Sequence, residues 1–79
     1  MTTLEFAEKA VTYIPDYFTI EGDELEKANS LIDSLARDDG FDPEDWDWNN
    51  ELITAMESVA LNRGLIGLDD TSYRYVLLK

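Results

Sequence analysis

The chain contains neither cysteine nor histidine. Without cysteine there is no disulfide framework and no thiolate nucleophile. A zinc site loses both of its preferred ligand types. Nucleophile–base pairs of the Ser-His or Cys-His kind lose their usual base. Glycine is sparse as well, and the four present, at 22, 40, 64 and 67, have none of the spacings of a phosphate-binding loop. No apolar run approaches the roughly 18 residues of a membrane span. The first ten residues, MTTLEFAEKA, are amphipathic and acidic, without the basic and apolar regions of a secretory leader. Basic residues number six against 18 acids, a net charge of −12. These absences point away from an enzyme, a cofactor and a membrane protein, and toward the reducing cytoplasm.

What is present describes a folded module. Seventy-nine residues suffice for a single acidic globular domain, 1–79. With 44% apolar and 11% aromatic residues, the chain is too hydrophobic to be held unfolded by its charge. The acidity is not a tail: residues 1–37 carry −5 and residues 38–79 carry −7. A net charge of −12 exceeds the magnitude of about 2–8 that keeps a small domain soluble. Nucleic acid and anionic membranes should repel such a chain, and a basic protein surface should attract it.

Periodicity predicts three helices and a hairpin, a mainly α (α+β) fold. Thr2 and Glu5 fit a capping box ahead of a first helix ending before Pro15. Leu4, Ala7, Ala10 or Val11, and Ile14 are its expected buried face, and Glu5 and Lys9 are spaced to pair outside. Tyr17-Phe18-Thr19-Ile20 is a short run of strand formers. A second helix, Asp23 to Arg37, has its stripe at Leu25, Ala28, Leu31 or Ile32, and Leu35. Asp23–Lys27 and Asp33–Arg37 stand at pairing distance along it. Asp38-Asp39-Gly40 stops it. The third helix either runs unbroken from Pro43 to Asn62, capped by Asp42, or begins after a turn at 43–47 with Asn49 as cap. Leu52, Ala55 or Met56, and Val59 or Ala60 give its core face. Leu65-Ile66-Gly67-Leu68 and the run from Ser72 to Leu78 form the expected hairpin across Asp69-Asp70-Thr71.

Over residues 50–78 the order of helix, Gly64-Leu65-Ile66 and hairpin resembles the end of a winged-helix domain. The resemblance implies a shape and not its usual ligand. A DNA-reading winged helix is basic on its third helix and wing, whereas here Asp47, Glu51 and Glu57 lie on the helix and Asp69 and Asp70 at the wing tip. Direct nucleic-acid binding is not expected.

The densest feature is the run DDGFDPEDWDWNNE, with seven acids, two tryptophans and no base. It fails the calcium-loop template: counted from Asp38, Pro43 falls where glycine is needed and Asn49 where glutamate is needed. Asp38, Asp39, Asp42, Glu44, Asp45, Asp47 and Glu51 are therefore candidates for binding a partner through charge. On a helix Trp48 aligns with Leu52, Ala55 and Val59, the core side. Trp46 falls nearer the edge, as a core aromatic or an apolar anchor. In size and charge the chain resembles the DNA-mimic inhibitors made by bacteriophages, such as anti-restriction and anti-CRISPR proteins. That resemblance implies a small inhibitor, monomeric or a small homo-oligomer, seated in the basic groove of a nucleic-acid-binding enzyme in the host cytoplasm. The competing expectation is an interaction module that binds through an apolar groove or the β-edge at Tyr73–Leu78, its acidity incidental.

Overall fold

The computed structural model describes residues 1–78. Helix α1 spans Thr3–Tyr13, a single 3-10 turn spans Tyr17–Thr19, α2 spans Asp23–Asp38 and α3 spans Trp46–Asn62. Strands β1 (Ile66–Asp69) and β2 (Arg74–Leu77) pair antiparallel, with Ile66 opposite Leu77 and Asp69 opposite Arg74. Three helices and a C-terminal hairpin are thus the architecture, and none of the helices is long and apolar enough to cross a membrane.

Helix α1 begins as its sequence dictates. The Glu5 N–H donates to Thr2 Oγ1 at 3.1 Å, and the Thr2 N–H donates to Glu5 Oε1 at 2.9 Å. The Thr2 N–H bond to the carboxylate favours its ionised form and, with the Thr2 hydroxyl beside it, lowers the Glu5 pKa. Glu5 is therefore engaged in the cap instead of pairing with Lys9. The buried face is Phe6, Ala7, Ala10, Val11 and Ile14, while Leu4 is 56% exposed. Stripes starting at Leu4 and at Phe6 both satisfy helical spacing. The larger aromatic takes the interior and the helix rotates Leu4 outward.

Helices α1 and α3 run in the same direction. Trp48 Nε1 donates to Thr3 Oγ1 at 3.2 Å where both helices begin, and Arg63 donates to Thr12 Oγ1 at 2.9 Å where both end. Parallel neighbours need a return connection, and α2 provides it. Its buried residues are Ala28, Ile32 and Ala36, with Leu31 turned out. The one ion pair among the described residues ties α2 to α1: Lys9 Nζ lies 2.9 Å from Asp39 Oδ2. That bond raises the Lys9 pKa. The pairs Asp23–Lys27 and Asp33–Arg37, expected from spacing, do not form.

Helices α2 and α3 end in the same way. Gly40 (φ +87°) and Gly64 (φ +69°) adopt the left-handed conformation that glycine enters without a Cβ penalty. The Phe41 N–H then donates to the Ala36 carbonyl at 2.8 Å, and the Leu65 N–H to the Ala60 carbonyl at 3.0 Å. These are Schellman motifs, and each delivers an apolar residue back onto the core. Phe41 stacks on Trp48 (4.8 Å between centroids, 16° between planes), and Phe6 lies 5.4 Å from Phe41 and 5.7 Å from Trp48. One buried cluster collects residues from all three helices and Ile66 of β1.

The strand formers at Tyr17–Ile20 make a helical turn instead. The Asp16 carbonyl accepts from both the Thr19 N–H (2.9 Å) and Thr19 Oγ1 (3.0 Å), which closes the chain on itself. The turn sets Phe18 edge-on against Tyr75 of β2, 6.0 Å between centroids. The Tyr17 hydroxyl donates to Asn29 Oδ1 at 2.7 Å. Burial, assisted by the charge of Asp33, raises the Tyr17 pKa.

Candidate functional site

The acidic run divides into residues that hold the fold and residues that face solvent. Asp38 is the last residue of α2 and is exposed. Asp39 is half-buried and spent on Lys9. Residues 42–45 form a turn, so α3 neither starts at Pro43 nor is capped by Asn49. Asp42 Oδ1 accepts from the Glu44 N–H at 2.9 Å and orders that turn. The cap is Asp45, whose Oδ1 accepts from the N–H groups of Asp47 (3.1 Å) and Trp48 (3.3 Å). Asn49 lies inside the helix, and its Nδ2 donates back to the Pro43 carbonyl. Asp42 thus orders the preceding turn, and Asp45 is the residue that reaches the free amides at the helix start.

The cap has a measurable consequence. Asp45→Ala removes the acceptor for two orphan amides and is expected to cost about 0.5–2 kcal/mol of stability. Asp45→Asn, which keeps the acceptor, should cost a small fraction of that. Urea unfolding followed by circular dichroism separates the two, and equal losses would show that the charge and not the cap matters.

Asp42 and Asp45 remain exposed while holding the backbone. Glu44, Asp47 and Glu51 are exposed and have no cation partner among the described residues. Asp47 and Glu51 stand one turn apart on α3, about 5–6 Å between Cβ atoms. That like-charge pair opposes its own helix by a few tenths of a kcal/mol. Of the seven acids, Asp39 alone is paired with a cation among the described residues.

The two tryptophans separate completely. Trp48 is part of the Phe6–Phe41 cluster, with its indole N–H satisfied by Thr3. Trp46 is 76% exposed at the first position of α3 and touches no other aromatic ring. Trp46 therefore projects from a surface whose neighbours in sequence are Glu44, Asp45 and Asp47. A large apolar ring among uncompensated carboxylates suits a cationic side chain, which the ring face and the carboxylates attract together.

Among the described residues no cluster of acidic side chains is arranged to hold a metal ion. No buried side-chain donor or acceptor there lacks a partner. The Glu57 carboxylate raises the pKa of the Tyr75 phenol beside it, on the opposite half of α3. Comparison of the chain with protein-family models, with curated proteins and with solved structures finds no match.

Proposed function

We propose that this protein is a small inhibitor that docks its acidic surface into the basic groove of a nucleic-acid-binding enzyme or complex and keeps DNA or RNA out. The observation that supports it is the surface around the start of α3. Asp42, Glu44, Asp45, Asp47 and Glu51 are all exposed there, no basic side chain among the described residues pairs with them, and Trp46 lies between them in sequence. Duplex DNA presents one charge per about 3.4 Å of axis along each strand. Carboxylates spaced by one helical turn and by the preceding loop offer a comparable row to the lysines and arginines of such a groove. Bacteriophage anti-restriction and anti-CRISPR inhibitors use this strategy, and a host enzyme that handles foreign DNA is the partner it would suit.

The test combines Glu44→Gln, Asp47→Asn and Glu51→Gln in one variant, leaving the Asp42 and Asp45 turns intact. Wild-type and variant chains are used to capture proteins from a bacterial host lysate at low and high salt. Captured proteins are then assayed for duplex DNA binding with and without the chain. Wild type should capture a basic protein at low salt, lose it as salt rises, and compete with DNA for it. The variant should bind more weakly with a flatter salt dependence. A partner that binds the variant equally well, or that holds DNA and the chain together, would sink the proposal.

A further inference from the structure

At the junction of α1 and α2 the surface opens into a groove of about 280 Å³. Ile14, Ile20, Ala28 and Leu31 give it an apolar floor, and Asp16, Glu24 and Lys27 supply its charges. Ile14 and Ala28 belong to the buried core, whereas Leu31 is 42% exposed. Leu31 and Ile32 compete for the inward side of α2. Ile32 takes it, which leaves Leu31 on the groove.

The fold uses the carboxylates beside this floor only in part. Glu24 suits the positive start of α2. Asp16 has no such role. The aspartates of the other turns each bind backbone: Asp42 accepts from Glu44, Asp45 from Asp47 and Trp48, and Asp69 from Thr71. Asp16 is half-buried ahead of the 3-10 turn, yet its side chain makes no capping bond. It pairs with no cation among the described residues, and neither does Glu24. Helix α1 adds a third negative element. Pro15 has no N–H to donate to the Val11 carbonyl, and the last turn of α1 contains no basic residue. The negative end of the helix dipole therefore falls beside Ile14 without a cation from its own helix. Arg63 approaches that end from α3, at Thr12, and does not line the groove. Residues 14–31 carry five acids against one base, Lys27.

We propose that this groove docks one long cationic side chain, an arginine or lysine presented by a basic protein partner. The methylene stem lies on Ile20, Ala28 and Leu31, and the charged head reaches the Asp16 and Glu24 carboxylates. Size, floor and charge select that occupant together. The volume falls below the roughly 300–1,000 Å³ of a small-molecule pocket. Aliphatic residues suit a stem that buries its methylenes while its head stays wet. Two unpaired carboxylates and a helix C-terminus favour a positive head and reject a negative one. A second copy of this chain, at net charge −12, is repelled. The groove is also separate from the surface around Trp46. Helix α1 starts beside the first turn of α3, where Trp48 meets Thr3, and ends at the groove, about 16 Å further along its axis.

The inference does not depend on the inhibitor reading, and the test keeps the two apart. The isotopically labelled full chain is titrated with a capped Gly-Arg-Gly peptide, and its amide NMR shifts are followed. Two further probes divide the occupant into parts: the same peptide with citrulline, which keeps the stem and loses the charge, and guanidinium ion, which keeps the charge and loses the stem. The arginine peptide should give saturable shifts centred on Asp16, Ile20, Ala28 and Leu31, and both other probes should bind more weakly. Asp16→Asn should weaken the arginine peptide about fivefold. Leu31→Gln should also weaken it, while Leu61→Gln, as exposed on α3 as Leu31 is on α2, should not. Circular dichroism should show all three variants folded. The variant neutralised at Glu44, Asp47 and Glu51 should bind the peptide at this groove like wild type, whatever becomes of its basic partner. Shifts spread evenly over the acidic residues of the chain overturn the proposal. So does guanidinium that binds as well as the peptide, or a peptide site that Asp16→Asn and Leu31→Gln leave intact.

Discussion

Phe6→Ala is expected to remove about 3–5 kcal/mol of folding stability. Phe6 is fully buried and lies against both Phe41 and Trp48. It therefore couples α1 to the return from α2 and to the start of α3. A chain of this length has a total stability of roughly 4–12 kcal/mol, so the loss would leave a substantial unfolded population. Self-repulsion within a chain of net charge −12 works in the same direction. Phe6→Leu retains most of the volume and should cost much less. Urea titrations read by circular dichroism give both values. A Phe6→Ala chain with the wild-type midpoint would show that the aromatic cluster is not the centre of the core. The same substitution should also loosen the acidic surface, because Trp48 fixes the first turn of α3 on which Asp47 stands.

The parts of this fold legible in the sequence are those set by local chemistry. The Thr2–Glu5 capping box, the glycine stops at 40 and 64, and the Leu52, Met56, Val59 stripe each depend on a few adjacent residues, and each forms as expected. What was not legible depends on contacts made at a distance. Lys9 has Glu5 within reach on its own helix and instead takes Asp39, thirty positions away. Nothing local distinguishes Leu4 from Phe6 as the inward residue; the ring pocket made by Phe41 and Trp48 decides it. Sequence spacing names Asp42 or Asn49 as the cap of α3, and the structure uses Asp45 instead. At the candidate site, local chemistry assigns Asp38 and Asp39 to a helix end, Asp42 to a cap and Glu44 and Asp45 to a first turn, leaving Asp47 and Glu51 unexplained; the structure moves the cap to Asp45, gives Asp42 the preceding turn and pairs Asp39 with Lys9. The exposure of Val76, Leu77 and Leu78 in the hairpin did carry a signal. Tyr75-Val76-Leu77-Leu78 is an unbroken apolar run, and a strand packed on one face alternates instead.

Trp46→Ala should leave stability within about 0.5 kcal/mol of wild type, yet cost about 2 kcal/mol or more of affinity for the basic partner, roughly thirtyfold in Kd. Both halves follow from exposure. The indole has no core contact to lose, and alanine is the better helix former at that position. Against a partner, however, the ring is the one large apolar group on a surface otherwise made of carboxylates, so it supplies contact area that charge alone cannot. The substitution leaves every carboxylate in place, and the salt dependence of binding should therefore keep its wild-type slope while the whole curve shifts to weaker affinity. The Glu44, Asp47, Glu51 neutralisation should do the reverse and flatten the slope. Calorimetric titration of both variants at several salt concentrations tests the pair of effects together. If Trp46→Ala binds like wild type, the anchor role fails and the surface works by charge alone. If it changes the slope instead of the intercept, the indole acts by positioning the neighbouring carboxylates and not by contact.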